Sequence, residues 1–235
     1  EILKTLDELD LAKKTIVIYS SDNGPWLSKK HHGGSALPLR AGKSTTYDGG
    51  MRVPAVVRWP GQVPAGTVTD YIASTIDLLP PLAEITGAKL PDHPIDGMSI
   101  LATLKNPKTP TPRQEKGFFY YRNNRIEAVR LGKWKLRLAG GRGKRKQANP
   151  AAGMELYDLD ADIGESCNRY ADFPDVVVRL IALVEACRED LGDEAAGIQG
   201  RNIRPVGRVD HPDTLTHYDP EHPYMIALYD LKDRG

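Results

Sequence analysis

The chain has 235 residues, 40% of them hydrophobic and 27% charged, with 32 basic against 31 acidic side chains and a formal net charge of +1. That length suits one large domain or two modest ones, each able to bury a core. The balanced charge argues against nucleic acid as the main partner, because phosphate-binding domains carry a basic excess. No apolar run approaches membrane-spanning length.

The chain opens Glu1-Ile2-Leu3-Lys4 with neither a starting Met nor a charged-then-apolar leader, so it reads as a piece of a longer product. Ile2, Leu3, Leu6 and Leu9 recur at helical spacing and predict an amphipathic helix over 1–12. Thr15-Ile16-Val17-Ile18-Tyr19 is a short β-branched run of the kind that suits a central parallel strand covered on both faces. In an α/β architecture ligands gather where such a strand stops, and here Asp22 and Asn23 follow it. Residues 28–50, rich in Gly, Lys, Ser and Thr, predict a long ordered loop of functional character. Ala55 to Trp59 forms the next strand, stopped by Pro60-Gly61. Ser74 to Ala88 holds a helix with Pro80 and Pro81 in its first turn and Gly87 just past its end. A further helical turn or two is expected over 99–104.

Pro107-Lys108-Thr109-Pro110-Thr111-Pro112 has the composition of a linker, and the pattern changes after it. Residues 118–121, 127–131, 134–138 and 154–159 predict four short strands. Leu136 and Leu138 alternate with Lys135 and Arg137, which predicts an antiparallel sheet with one wet face. A helix entered through Pro174 carries Val176, Val177, Leu180, Val184, Cys187 and Leu191 on one face and runs to about Leu191. Residues 1–108 are therefore expected to close a large α/β domain, and 109–235 to form a small sheet-plus-helix domain with an irregular tail. Two cysteines are too few for a disulfide scaffold, and Cys187 on the helix's apolar face reads as a buried free thiol.

Several side chains are candidates for chemistry. Asp22 and Asn23 are hard oxygen donors side by side at a strand end, suited to a divalent cation, although Asp-Asn-Gly-Pro also ends a strand as plain turn chemistry. Lys43 lies in a glycine-flanked loop twenty residues on, either as a fixed oxyanion contact or as a solvated lysine. His31 and His32, with Trp26 and Lys29, sit between these motifs, and His32 is a candidate substrate contact unless both histidines are simply exposed. Arg142, Lys144, Arg145 and Lys146 form a basic cluster, readable as a solvated loop or as a site for a sulfated glycan.

Ser20 to Pro25, the segment Pro38 to Pro54 containing Leu39-Arg40-Ala41-Gly42-Lys43, and Val57-Arg58-Trp59-Pro60-Gly61 together resemble the formylglycine-dependent sulfatases of the arylsulfatase type, within the alkaline-phosphatase-like superfamily. Asp77-Leu78-Leu79-Pro80, Glu155 to Asp160, Gly164-Glu165-Ser166 with Asn168, and Asn202 to Arg208 continue the resemblance along nearly the whole chain. It implies the carboxyl-terminal part of an alkaline-phosphatase-like α/β sandwich plus a small four-stranded antiparallel sheet with one packed helix. It implies Asp22 and Asn23 as ligands of calcium or another divalent cation, and Lys43 as a sulfate contact. Two positions depart from the family pattern: Ala41 stands for a usual Gly and Asp48 for a usual Glu.

The family's nucleophile comes from a Cys/Ser-X-Pro/Ala-X-Arg segment oxidised to formylglycine. Cys167 is followed by Asn168-Arg169 and Cys187 by Arg188-Glu189, so neither fits. The resemblance therefore implies a sulfate-monoester hydrolase whose nucleophile lies upstream, on a missing amino-terminal part, and a chain inactive by itself. It further implies a periplasmic, extracellular or lysosomal setting and a sulfate ester, such as a sulfated glycan, as partner, without nucleic acid or a membrane span. The alternatives are a phosphatase or phosphonate hydrolase of the same superfamily, or a non-catalytic module that binds sulfated glycans.

Overall fold

Asp10 adopts a left-handed φ of 54°, which stops the first helix, α1, at Ile2–Glu8 and short of the expected residue 12. A single 3-10 turn, Ala12–Lys14, then leads into β1 (Val17–Ser20). The computed structural model describes residues 1–138, 153–204, 207, 208 and 210. Glu1–Ile203 form one compact unit.

β1 does not run parallel to its partner. It pairs antiparallel with β2 (Ala55–Arg58), Val17 facing Arg58 and Ser20 facing Ala55, and Tyr19 and Val56 are exposed. The expectation of a parallel strand covered on both faces fails for a simple reason: an apolar β-branched run specifies a strand but not the direction of its neighbour. Arg58 also meets Asp7 at 2.8 Å, and the Trp59 indole donates to the Lys13 carbonyl at 3.1 Å, so α1 and its following turn are tied to β2. Between the two strands, residues expected as one long loop include a 3-10 segment, Leu27–His32, and a one-turn helix α2 (Asp48–Met51).

The Pro80-Pro81 helix follows its sequence closely. A turn at Thr75–Leu78 opens with a capping box between Ser74 and Asp77, and α3 (Leu79–Thr86) ends at Gly87 with φ 71°. α4 is Leu101–Lys105. The Pro-rich segment expected as a linker is docked instead: Thr111 is buried and donates to the Ile72 carbonyl, and Arg113, opening α5 (Arg113–Lys116), forms a buried pair with Asp77. Composition alone suggested a tether, but the hydroxyl of Thr111 and the guanidinium that follows the segment both find buried acceptors.

β3 (Phe118–Arg122), β4 (Arg125–Leu131), β5 (Trp134–Arg137) and β6 (Glu155–Asp158) form a four-stranded antiparallel sheet in sequential order. One face packs on α6 (Pro174–Leu191), where Val177, Leu180, Val184 and Cys187 meet Ile126, Val129, Leu136 and Leu156. Cys187 is a buried free thiol and Cys167 an exposed one. The other face is not wet. Lys135 has 0% relative exposure and Arg137 9%, because residues 40–48 lie across them. Alternation located the two faces correctly but could not reveal that a segment almost ninety positions earlier covers the polar one.

Candidate functional site

The turn after β1 is built for close approach. The Ser21 hydroxyl donates to the Asn23 carbonyl at 3.0 Å, and the Gly24 N–H donates to the Gly50 carbonyl at 3.1 Å. A Cβ on Gly24 would collide with the Gly49 carbonyl oxygen, so only glycine permits this contact. One residue on, the Pro25 carbonyl accepts the Lys43 N–H at 2.9 Å. Two backbone hydrogen bonds thus bind the Asp22-Asn23-Gly24-Pro25 turn to the segment carrying Lys43.

Lys43 itself is exposed, its ammonium 5.4 Å from the centre of the Trp26 ring, where Lys29 also lies at 4.9 Å. An indole ring within reach of two ammonium groups restrains them without neutralising either. Asp22 is exposed and Asn23 half-buried. Among the described residues, neither the Asp22 carboxylate nor the Asn23 carboxamide has a hydrogen-bond or ion-pair partner. His31 and His32 are both exposed at the end of the 3-10 segment. A cavity of about 730 Å³ beside the turn is lined by Asn23, Gly24 and Arg52 among others; Asp22, His32 and Lys43 do not line it.

Among the described residues, no three His, Cys, Asp or Glu side chains converge as a metal centre. Asp22 and Asn23 offer two adjacent, unengaged hard oxygens, which fits part of a calcium shell of six to eight oxygen ligands and not a whole one. The basic cluster Arg142, Lys144, Arg145 and Lys146, and the tail histidines His211, His217 and His222, lie outside the described residues.

Behind the Lys43 segment stands a buried ionic network. The Lys135 ammonium lies 2.7 Å from Asp48 Oδ1 and 2.8 Å from Glu165 Oε1, all three side chains fully buried. Glu165 Oε2 accepts the Asp48 backbone N–H at 2.6 Å, the Tyr120 hydroxyl donates to Asp48 Oδ1 at 3.2 Å, and Arg130 approaches Asp48 Oδ2 at 3.6 Å. Burial pushes the Asp48 carboxyl up, but Lys135 and then Arg130 outweigh it and hold Asp48 below the usual carboxylate range. Burial and the neighbouring Asp48 raise the Tyr120 phenol well above its ordinary value, so it serves as a donor.

A second layer lies alongside this network. The Tyr47 ring is held between the Arg40 guanidinium at 4.1 Å and that of Arg137 at 3.7 Å. Arg137 donates to the Thr46 hydroxyl at 3.0 Å, which donates to Glu127 at 2.7 Å. Arg40 donates to the Tyr157 hydroxyl at 3.1 Å and to the Glu165 carbonyl at 2.6 Å. Burial, then Glu155, push the Tyr157 phenol up to about 12 against the pull of Arg40. Sequence reasoning missed this network. Its visible signal was that Asp48 and Glu165 fall within the motif segments, and that Lys135 sits between Trp134 and Leu136.

The sulfatase family model matches residues 1–88, and the chain resembles the carboxyl-terminal portion of that family, with its alkaline-phosphatase-like α/β fold. It is 37% identical over 182 residues to human arylsulfatase A, matching 71% of this chain and 36% of that protein. It is 40% identical over 140 residues to mouse N-acetylgalactosamine-6-sulfatase, matching 59% of this chain and 26% of that protein. The chain thus spans about a third of the length of such relatives.

Among solved structures, a Bacteroides thetaiotaomicron protein described with the metabolism of multiple glycosaminoglycans aligns at TM-score 0.64 and 28% identity, covering 80% of this chain and 41% of that one. Ps i-CgsB in complex with k-i-k-neocarrahexaose aligns at TM-score 0.64 and 27% identity, covering 79% and 39%. The PsFucS1 sulfatase of Pseudoalteromonas sp. shares the fold at TM-score 0.69 and 23% identity.

Proposed function

We propose that this chain supplies one wall of the active site of a sulfatase that hydrolyses sulfate monoesters. Lys43 contacts the sulfate, and Asp22 with Asn23 supplies two oxygen ligands to a divalent cation, calcium by donor chemistry. The observation that carries the reading is the backbone pairing of the Asp22-Asn23-Gly24-Pro25 turn with the Lys43 segment, through Gly24 to Gly50 and Lys43 to Pro25. When bound, the cation would offset charge on the ester, and a formylglycine from upstream sequence would supply the nucleophile. The chain's own part is electrostatic. The Lys43 ammonium, steadied over Trp26, places a point charge toward the sulfate oxygens and orients the ester for attack.

His32 is the substrate-side residue of this proposal, exposed on the same loop. The substrate class proposed is a sulfated glycan, supported by the glycosaminoglycan and neocarrahexaose contexts of two structural neighbours. The working location is periplasmic, extracellular or lysosomal; no helix among the described residues is long and apolar enough to cross a membrane.

The test is hydrolysis of 4-nitrophenyl sulfate by the protein including its upstream sequence, with the 235-residue chain as comparison. Turnover by the longer protein, its loss on calcium chelation, a drop of about a hundredfold or more in Lys43→Ala, and no turnover by the chain alone are expected. Hydrolysis of 4-nitrophenyl phosphate in preference to the sulfate would instead assign a phosphatase. Absence of both activities together with glycan retention that survives chelation would assign a binding module.

A further inference from the structure

We propose that Lys135, far along the chain in the small sheet, is the positioning residue that sets the Lys43 segment and the Asp22-Asn23 turn in register. The alternation of β5 assigns Lys135 to a wet face, yet it is fully buried, its ammonium over the Tyr120 ring at 4.2 Å and clamped between Asp48 and Glu165. Burying these three ionised groups and the nearly buried Arg130 is an expensive way to fill a core. Apolar residues of similar volume serve stability as well or better, so such clusters are best explained where they select one arrangement among several.

The arrangement selected here is that of residues 39–51, which has no strand ladder of its own. Asp48 is gripped at both ends, its carboxylate by Lys135 and its backbone N–H by Glu165. The next two residues relay that position. Gly49 N–H donates to the Arg40 carbonyl at 2.9 Å, and the Gly50 carbonyl accepts the Gly24 N–H. From there one residue, Pro25, accepts the Lys43 N–H. A single ammonium on β5 is therefore connected through Asp48 and two glycines to both motifs. Glu165, reached by the same ammonium, brings in the turn after β6, and its carbonyl holds Arg40.

The consequence for turnover rests on the proposed role of Lys43, whereas the order of the segment is measurable without it. Two variants are compared with wild type. Lys135→Met removes the cation, and the combination Lys135→Met, Asp48→Asn, Glu165→Gln removes the bridge while leaving fewer stranded charges. Amide hydrogen exchange of the 235-residue chain is read over 40–51 and 22–26 against β4 and α6. We expect exchange of those two segments to accelerate about tenfold or more in the triple variant while β4 and α6 keep their protection. Wild-type protection of the segments in a folded triple variant overturns the proposal. So does loss of protection throughout the chain in the triple variant, which would make the network a general folding determinant.

In the longer protein, kcat for 4-nitrophenyl sulfate should fall about a hundredfold in the triple variant, as expected when a reacting group is misplaced by about an ångström. A wild-type protein without sulfatase activity would sink the sulfatase reading and leave the exchange result to decide the positioning role.

Discussion

The buried pair between Asp77 and Arg113 offers the most direct energetic test of how residues before and after the Pro-rich segment are joined. Asp77 is completely buried, and Arg113 nearly so, its Nε on Asp77 Oδ2 and its Nη2 on Oδ1. The same carboxylate accepts the Ser74 and Met98 N–H groups, each at 2.9 Å. Arg113→Met keeps both backbone bonds but strands a buried carboxylate, at a cost of about 3–5 kcal/mol. Asp77→Ala strands the guanidinium and also orphans two N–H groups at roughly 1–3 kcal/mol each, so it should be the worse of the two. The double variant should cost about 2–6 kcal/mol, mostly the two orphaned donors, and therefore clearly less than the sum of the singles. Urea unfolding of the 235-residue chain followed by far-ultraviolet circular dichroism gives all three values. Single losses below about 1 kcal/mol that add in the double would mean that water reaches the pair as it reaches a surface ion pair, and the docked Pro-rich segment would be wrong.

Two further outcomes follow from the core and the ionic network. Leu180, 1% exposed between α6 and the sheet, should cost about 2–5 kcal/mol as Leu180→Ala by urea unfolding; a loss under 1 kcal/mol would mean that α6 is not seated on Leu136 and Leu156. Asp48 is held below its unfolded value, so its stabilisation is present at neutral pH and is lost as pH falls below about 4 through the lowered folded value. In Lys135→Met that carboxylate has lost its nearest cation, so the stability gap between wild type and variant should be widest near neutrality and shrink on acidification below about pH 4. A gap independent of pH would show that Asp48 and Lys135 are not coupled.

The local elements were legible where neighbours in sequence carry the information. Pro80 and Pro81 opening α3, Gly87 ending it, and the stripe of Val177, Leu180, Val184 and Cys187 on α6 each express a rule that operates within a turn or two. The motifs carrying Asp22, Asn23 and Lys43 were legible as motifs. That the turn of the first two and the loop of the third share backbone hydrogen bonds was not, because Gly24 and Gly50, and Pro25 and Lys43, meet only after the chain has doubled back. Thr111 was misread for the same reason, since a Pro-rich composition describes local stiffness and is silent on whether a buried acceptor such as the Ile72 carbonyl waits nearby.

By itself, then, the sequence carried the sulfatase resemblance in its motifs, and it determined α3, α6, the four-strand meander and the apolar face of the sheet through short-range periodicity and turn chemistry. Tertiary structure decided the direction of β1 against β2 and the fate of the sheet's polar face. Lys135 reads as solvated because alternation reports only which side of a strand a residue occupies. Whether that side meets water depends on Asp48 and Glu165, which stand 87 positions before it and 30 after it and reach it only once the chain has folded.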